Sequence, residues 1–99
     1  MIITKHAAQR TKERCGIPKK SAERIAMIAF ENGISHKECN GKLRRYIDKI
    51  FLTYNKGANI RIYNNHIYIF TTNGTLITVL TLPSEFSGTV NKLMKKKRC

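Results

Sequence analysis

Polar and apolar positions alternate most regularly between Asn59 and Leu82, in NIRIYNNHIYIFTTNGTLITVLTL. Three short β-branched and aromatic runs, Ile60 to Tyr63, His66 to Phe70 and Leu76 to Leu82, are separated by Asn64-Asn65 and by Thr72-Asn73-Gly74-Thr75. That is the pattern of a three-stranded antiparallel meander. Asn-Gly suits a tight hairpin because both residues tolerate positive φ, and Asn-Asn does so less well. With Asn64-Asn65 and Asn73-Gly74 both read as two-residue loops, Tyr63 faces His66, Arg61 faces Tyr68, Phe70 faces Ile77 and Ile69 faces Thr78. One face then carries Ile60, Ile62, Ile67, Ile69, Leu76, Thr78 and Leu80, a floor on which helices can pack. The other carries Arg61, Tyr63, His66, Tyr68 and Phe70, then Ile77 and Val79. A one-residue bulge would exchange the faces beyond it.

Upstream the period changes from two to about 3.6. Thr4 is placed to cap a helix running to Arg14 or Cys15, with Gly16 as a left-handed stop. After Ile17-Pro18, apolar residues at Ala22, Ile25, Ala26, Ile28, Ala29 and Phe30 predict a second, mostly buried helix from Pro18 or Lys19 to Phe30, ended by Asn32-Gly33. Ser35 and Glu38 have the capping-box spacing, and Gly41 separates that first turn from the next helix. From Lys42 to Lys56, Leu43, Tyr46, Ile47, Ile50, Phe51 and Tyr54 give the i, i+3, i+4, i+7 series of an amphipathic helix, and Gly57 stops it. Pro83-Ser84-Glu85 opens a short final helix through Met94, beyond which Lys95-Lys96-Lys97-Arg98 is expected to fray. Met1-Ile2-Ile3 reads as an edge strand or an apolar lead-in. The expected fold is α+β: N-terminal helices on a three- or four-stranded antiparallel sheet, in one domain over residues 1–94, with a basic tail at 95–99.

Charge narrows the function. Nineteen Lys and Arg stand against six Asp and Glu, a formal charge of +13 and a pI near 10.1. The cations are spread along the chain as well as gathered in the tail, so the folded body itself points to a polyanionic partner. The predicted third helix alone carries Lys42, Arg44, Arg45, Lys49 and Lys56 against Asp48. No apolar run has the length of a membrane span, and the opening MIITKHAAQR lacks a signal peptide's apolar core, so a cytoplasmic protein is expected. Cys15, Cys39 and Cys99 are odd in number and form no Cys-x-x-Cys pair, which disfavours a disulfide framework.

The sharpest candidate for chemistry is the row His6, Arg10, Arg14, one helical turn between members. Metal-free RNA cleavage needs a proton carrier for the 2′-hydroxyl and the 5′-oxygen, and cations for the charge on the phosphorane. Histidine and arginine supply these. His66 and Arg61 on the sheet offer a second acid or base and a further phosphate contact, and Tyr63 and Tyr68 offer stacking surfaces. The bland alternative makes the same residues solvated charges, ion pairs with Glu13 and Glu23, and cross-strand packing. A site built from His36-x-x-Cys39 and Cys15 has no paired ligand motif, so no metal is expected. The acids form no Asp-x-Asp cluster, which disfavours a two-metal nuclease. No Gly-rich phosphate loop or Gly-x-Ser-x-Gly elbow supports a nucleotide cofactor or serine chemistry.

Thr4-Lys5-His6-Ala7-x-x-Arg10-x-x-x-Arg14, with the closing Leu76-Ile77-Thr78-Val79-Leu80, resembles a group of small bacterial and phage proteins in the BECR superfamily, named for barnase, EndoU, the tRNA-cleaving colicins and the RelE toxins. The resemblance implies helices on an antiparallel sheet and metal-independent ribonuclease activity, carried by His6, Arg10, Arg14 and Thr78. A long helix before the meander and the lack of an unmistakable second catalytic histidine depart from it. The resulting expectation is an RNA-binding protein, RNA favoured over DNA, acting as an endoribonuclease of toxin or mobile-element type. His6, Arg10, Arg14 and His66 form its catalytic set; Arg44, Arg45, Lys49, Arg61, Tyr63, Tyr68, Thr78, Lys95, Lys96 and Lys97 bind the nucleic acid. The alternatives are a non-catalytic basic nucleic-acid-binding module, and a basic inhibitor docking on an acidic protein or antitoxin.

Overall fold

The computed structural model describes residues 4–16, 19–54 and 59–98. Residues 1–3, Ile17-Pro18, Lys56, Gly57 and Cys99, each of which carries an expectation from the sequence, lie outside that set. The elements run in the order α1 (Lys5–Cys15), α2 (Lys19–Asn32), β1 (Ile34–Ser35), a 3-10 turn (His36–Glu38), α3 (Gly41–Thr53), β2 (Asn59–Tyr63), β3 (His66–Phe70), β4 (Leu76–Thr81), a second 3-10 turn (Ser84–Phe86) and α4 (Ser87–Arg98). The α+β class is as expected: helices pack on one antiparallel sheet of order β1-β2-β3-β4.

The first helix is bounded as its sequence dictates. The Thr4 hydroxyl accepts from the Ala7 N–H at 3.1 Å, and Gly16, at φ 66°, donates its N–H to Lys12 O. Thr4 also fastens the helix to the sheet. Its N–H donates to Leu76 O at 3.2 Å and its hydroxyl to Ile77 O at 3.3 Å. Among the described side chains of α1 the buried ones, Ala7 and Thr11, are small, so its axis sits close to β4. The helix carrying Leu43, Ile47 and Ile50 inward is α3, and the capping box of Ser35 and Glu38 closes the separate 3-10 turn before it.

The meander pairs Tyr63 with His66, Arg61 with Tyr68 and Ile69 with Thr78, as expected. Asn64 and Asn65 take φ of 47° and 61°, the two positive values that a type I′ turn needs. The β3–β4 connection differs. Thr71 N–H donates to Thr75 O at 2.8 Å, so three residues rather than two make the loop, and Phe70 pairs with Leu76 instead of Ile77. The bulge places Leu76 with Tyr68, Phe70 and Val79, while Ile77 packs on the isoleucine face.

Helices cover both faces, not one. Ala7, Ala26 and Ala29 of α1 and α2 pack on Tyr68, Phe70, Leu76 and Val79. On the other side Leu43, Ile47 and Ile50 of α3, with Phe86 and Val90, pack on Ile34, Ile60, Ile62, Ile67 and Ile69. Burying a side chain the size of Leu, Ile or Phe is worth roughly 1.5–3 kcal/mol, against a whole-domain stability of about 5–15 kcal/mol. Neither face can be given up to solvent. The fourth strand, β1, has only two residues, pairing Ile34 with Ile62 and Ser35 with Arg61. Beyond Met94 α4 continues through Arg98, and Lys97 Nζ donates to Gly33 O at 2.8 Å and to Glu38 Oε1 at 2.9 Å.

Gly33, between α2 and β1, is needed for room rather than for a left-handed φ. A Cβ there would stand 2.5 Å from Ala29 O and 3.1 Å from both Arg61 Cβ and Ile62 O. Gly33→Ala is therefore expected to cost about 1–3 kcal/mol, read as a lower urea midpoint at unchanged slope. A midpoint equal to wild type would show that the α2–β1 junction has slack.

Candidate nucleic-acid interface

Because both sheet faces are core, the surfaces open to a ligand are the outer faces of the helices and the ends of the sheet. Tyr68 and Phe70, expected on an open stacking platform, are 1% and 0% exposed beneath α1 and α2, and Thr78 is 3% exposed. These three are packing residues. Their assignment to base or phosphate contact is corrected: Tyr68 and Phe70 lie under the cover that the sheet needs on its second face, and Thr78, opposite Ile69, is buried on the isoleucine face.

Arg61 is also drawn inward. Its Nε donates to Phe30 O at 3.1 Å, its Nη1 to Ile60 O at 3.0 Å, and its guanidinium lies 5.0 Å from the Phe30 ring centre. Phe30 in turn meets Phe70 edge-on at 5.0 Å. Burial, partly offset by the Glu38 charge, holds the Arg61 pKa below the ordinary arginine value. Arg61 thus ties the last turn of α2 to β2.

On α1 the backbone sets His6, Arg10 and Arg14 one turn apart. The His6 side chain is outside the described set. Arg14 is exposed, and Arg10 is half-buried and 3.5 Å from Glu13 Oε2. The N-terminus of α1 is fastened at Leu76, whereas His66 pairs with Thr81 at the far end of β4. At about 3.3 Å rise per residue, the backbones of His6 and His66 are separated by most of the strand length. The structure therefore does not bring the two histidines together as a pair. His66 Nδ1 lies 2.8 Å from Asn64 O, and since a carbonyl only accepts, Nδ1 carries the proton and Nε2 is the acceptor of the neutral ring.

The outward side of α3 keeps Lys42, Arg45 and Lys49 exposed, and α4 adds Lys92, Lys95 and Lys96. Arg44 is engaged instead, its Nε donating to Asp48 Oδ1 at 3.2 Å. The same oxygen takes His36 Nε2 at 2.5 Å, and the imidazole stacks on Phe51 with ring centres 5.1 Å apart. No sequence motif pointed directly to this His36–Asp48–Arg44 cluster. Its one signal was Asp48 itself, the lone acid on a helix rich in cations. His36 and Cys39 do not face a common ion: Cys39 Sγ donates to Ser35 O, and burial pushes its thiol up to about 11. Among the described residues no group of three or more His, Cys, Asp or Glu side chains converges on a metal position, and no helix is long and apolar enough to cross a membrane.

Two carboxyls are used as local fasteners. The His36 hydrogen bond, with Arg44 beside it, holds the Asp48 carboxyl below the usual range. Burial acts to raise Glu38, but the Lys97 ammonium and the Ser35 N–H and hydroxyl together hold it low. No family model, curated protein or solved structure matches this chain, so its own residues carry the functional argument.

A carboxyl whose pKa is depressed by folding stabilises the fold above its unfolded pKa, and that increment is lost as pH falls through the folded pKa. Wild type is therefore expected to exceed the Glu38→Gln/Asp48→Asn protein in urea midpoint at pH 7. The gap should close as the pH is lowered below the ordinary carboxylate range. A gap that persists undiminished at pH 2 would mean that the fasteners act through shape rather than charge.

Proposed function

We propose that this protein binds RNA through its cationic helix faces. The observation that carries the reading is that Arg14, Lys20, Arg24, Arg45, Lys49 and Lys96, on four different helices, are all exposed, while the ion pairs described use only Glu13, Glu38 and Asp48. A chain at +13 accumulates phosphate as a counterion, and each phosphate neutralised releases a condensed cation. Affinity for RNA is expected to fall linearly in log–log form with salt. Converting Arg45 and Lys49 to alanine should reduce the slope by roughly 0.7–1 per residue in contact. Salt-independent binding would refute this reading, and absence of any RNA or DNA affinity would move an acidic protein partner into its place.

The second reading adds cleavage. In it Arg10 and Arg14 hold the scissile phosphate and His6 transfers a proton, the arrangement implied by the resemblance to metal-independent ribonucleases. Its support is the fixing of both ends of α1 by Thr4 and Gly16, which sets the three residues on one line of a short helix. End-labelled RNA incubated with the protein in EDTA is expected to yield 2′,3′-cyclic phosphate ends, with at least about a hundredfold loss in the His6→Ala protein. Intact RNA, or equal cleavage by wild type and His6→Ala, would reject the catalytic assignment while leaving RNA binding in place.

A further inference from the structure

Between the β2–β3 hairpin and α4 lies a groove in two halves. One, of ≈ 340 Å³, is lined by Tyr63, Asn64, Asn65, Asn91, Met94 and Lys95. The other, of ≈ 370 Å³, is lined by Asn32, Tyr63, Met94 and Lys97. Tyr63 and Met94 belong to both and join them. Its walls are fixed at three points. Leu82 N–H donates to Asn65 O at 2.9 Å, Ser87 Oγ approaches Asn65 Oδ1 at 3.5 Å, and Lys97 bridges Gly33 O and Glu38 at the other end of α4.

The chemistry of this lining is unlike that of the helix faces. Contacts from the helix-face cations to phosphate fix position and carry no sequence information of their own. Here a half-exposed tyrosine and a polarizable thioether are shared by both halves, and four asparagines complete the lining, Asn65 with its Oδ1 accepting from the Ser87 hydroxyl. A carboxamide presents a donor and an acceptor side by side, which is the complement of a base edge, and an aromatic face is the complement of the base plane. A bare phosphate would need neither ring nor thioether, and an acyl chain would need no carboxamides. Lys95 stands at the rim for the adjoining phosphate. Bases inside a duplex are stacked and cannot enter, so the occupant must be unpaired.

We propose that this groove takes an unpaired base of single-stranded RNA, stacked on Tyr63 and read at its edge by the surrounding asparagines. The proposal rests on the RNA-binding reading and gives it a place where sequence is distinguished. Tyr63 packs at the margin of the Tyr68–Phe70 core and Met94 at the margin of the isoleucine core, and each keeps part of its surface open to the groove.

The test is fluorescence anisotropy with labelled single-stranded homopolymeric oligoribonucleotides and an RNA duplex, on wild type, Tyr63→Ala, Tyr63→Phe and Asn65→Gly. Asn65→Gly removes a carboxamide and with it the Ser87 contact, but it keeps the backbone carbonyl that Leu82 N–H donates to and a residue that accepts the positive φ of the turn, so the hairpin is retained. Tyr63→Ala is expected to weaken single-strand binding about tenfold or more, as loss of one stacked base does, and Tyr63→Phe to restore it. Asn65→Gly should reduce the differences among the homopolymers. Neither should alter duplex affinity or the salt slope, because no cation is removed. Single-strand binding at wild-type strength by both Tyr63→Ala and Asn65→Gly, with circular dichroism showing the fold intact, would overturn the groove and leave the cationic surface standing. A wild-type protein without affinity for either RNA would overturn the binding reading and the groove with it.

Discussion

The constraint on which this structure depends is that its sheet has two apolar faces. Ile60, Ile62, Ile67 and Ile69 point to one side, and Tyr68, Phe70, Leu76 and Val79 to the other. A chain of 99 residues must cover both, and it does so by dividing its helices. The alanine-lined α1 and α2 press close on one face, and the larger apolar residues of α3 and of the segment around Phe86 and Val90 fill the other. Arg61 and Thr4 are polar ties between layers, Arg61 donating to Phe30 O of α2 and Ile60 O of β2, and Thr4 to Ile77 O of β4. The outside of the helices and one end of the sheet remain accessible.

Much of this was legible because local signals agreed with one another. Thr4, Gly16 and the spacing between them define α1 without reference to the rest of the chain, and the apolar spacing from Leu43 to Ile50 defines the buried side of α3. The pairing of β2 with β3 followed from two asparagines and alternation. The β4 bulge did not, because Thr72-Asn73-Gly74-Thr75 accommodates either a two- or a three-residue loop, and the choice is made by Thr71 pairing with Thr75. Strand β1 was hidden for a different reason: two residues have no period. Burial of Tyr68 and Phe70 was underdetermined as well, since aromatic residues suit a covered face and a stacking platform equally.

The candidate sites were legible in proportion to how local they are. Cations on α3 follow from helical spacing alone. The groove at α4 assembles Asn32, the β2–β3 turn and Asn91, and in sequence the turn asparagines already have a sufficient explanation in their positive φ. A residue that answers one structural demand conceals a second use. His36 and Asp48 were concealed by distance, twelve residues apart across the break at Gly41.

Charge and fold then pull against each other in a way that a ligand would resolve. A +13 molecule with a Cα radius of gyration of 12.6 Å holds its cations within a few Debye lengths of one another, and their repulsion opposes compaction. The acids relieve this only locally: Glu13 on α1, Asp48 across the α3 start, and Glu38 with Lys97 at the end of α4. Asp48 and Glu38 each staple one junction, Glu13 pairs with Arg10 within α1, and none neutralises a face. A polyanion that binds the folded form relieves the remaining repulsion and is linked to stability by mass action, so on the proposed reading binding and folding reinforce one another. The helix faces would supply that long-range, sequence-indifferent part. On the same reading the Tyr63 groove supplies selectivity, because aromatic, thioether and carboxamide groups meet there at the margin of the two cores with part of their surface open.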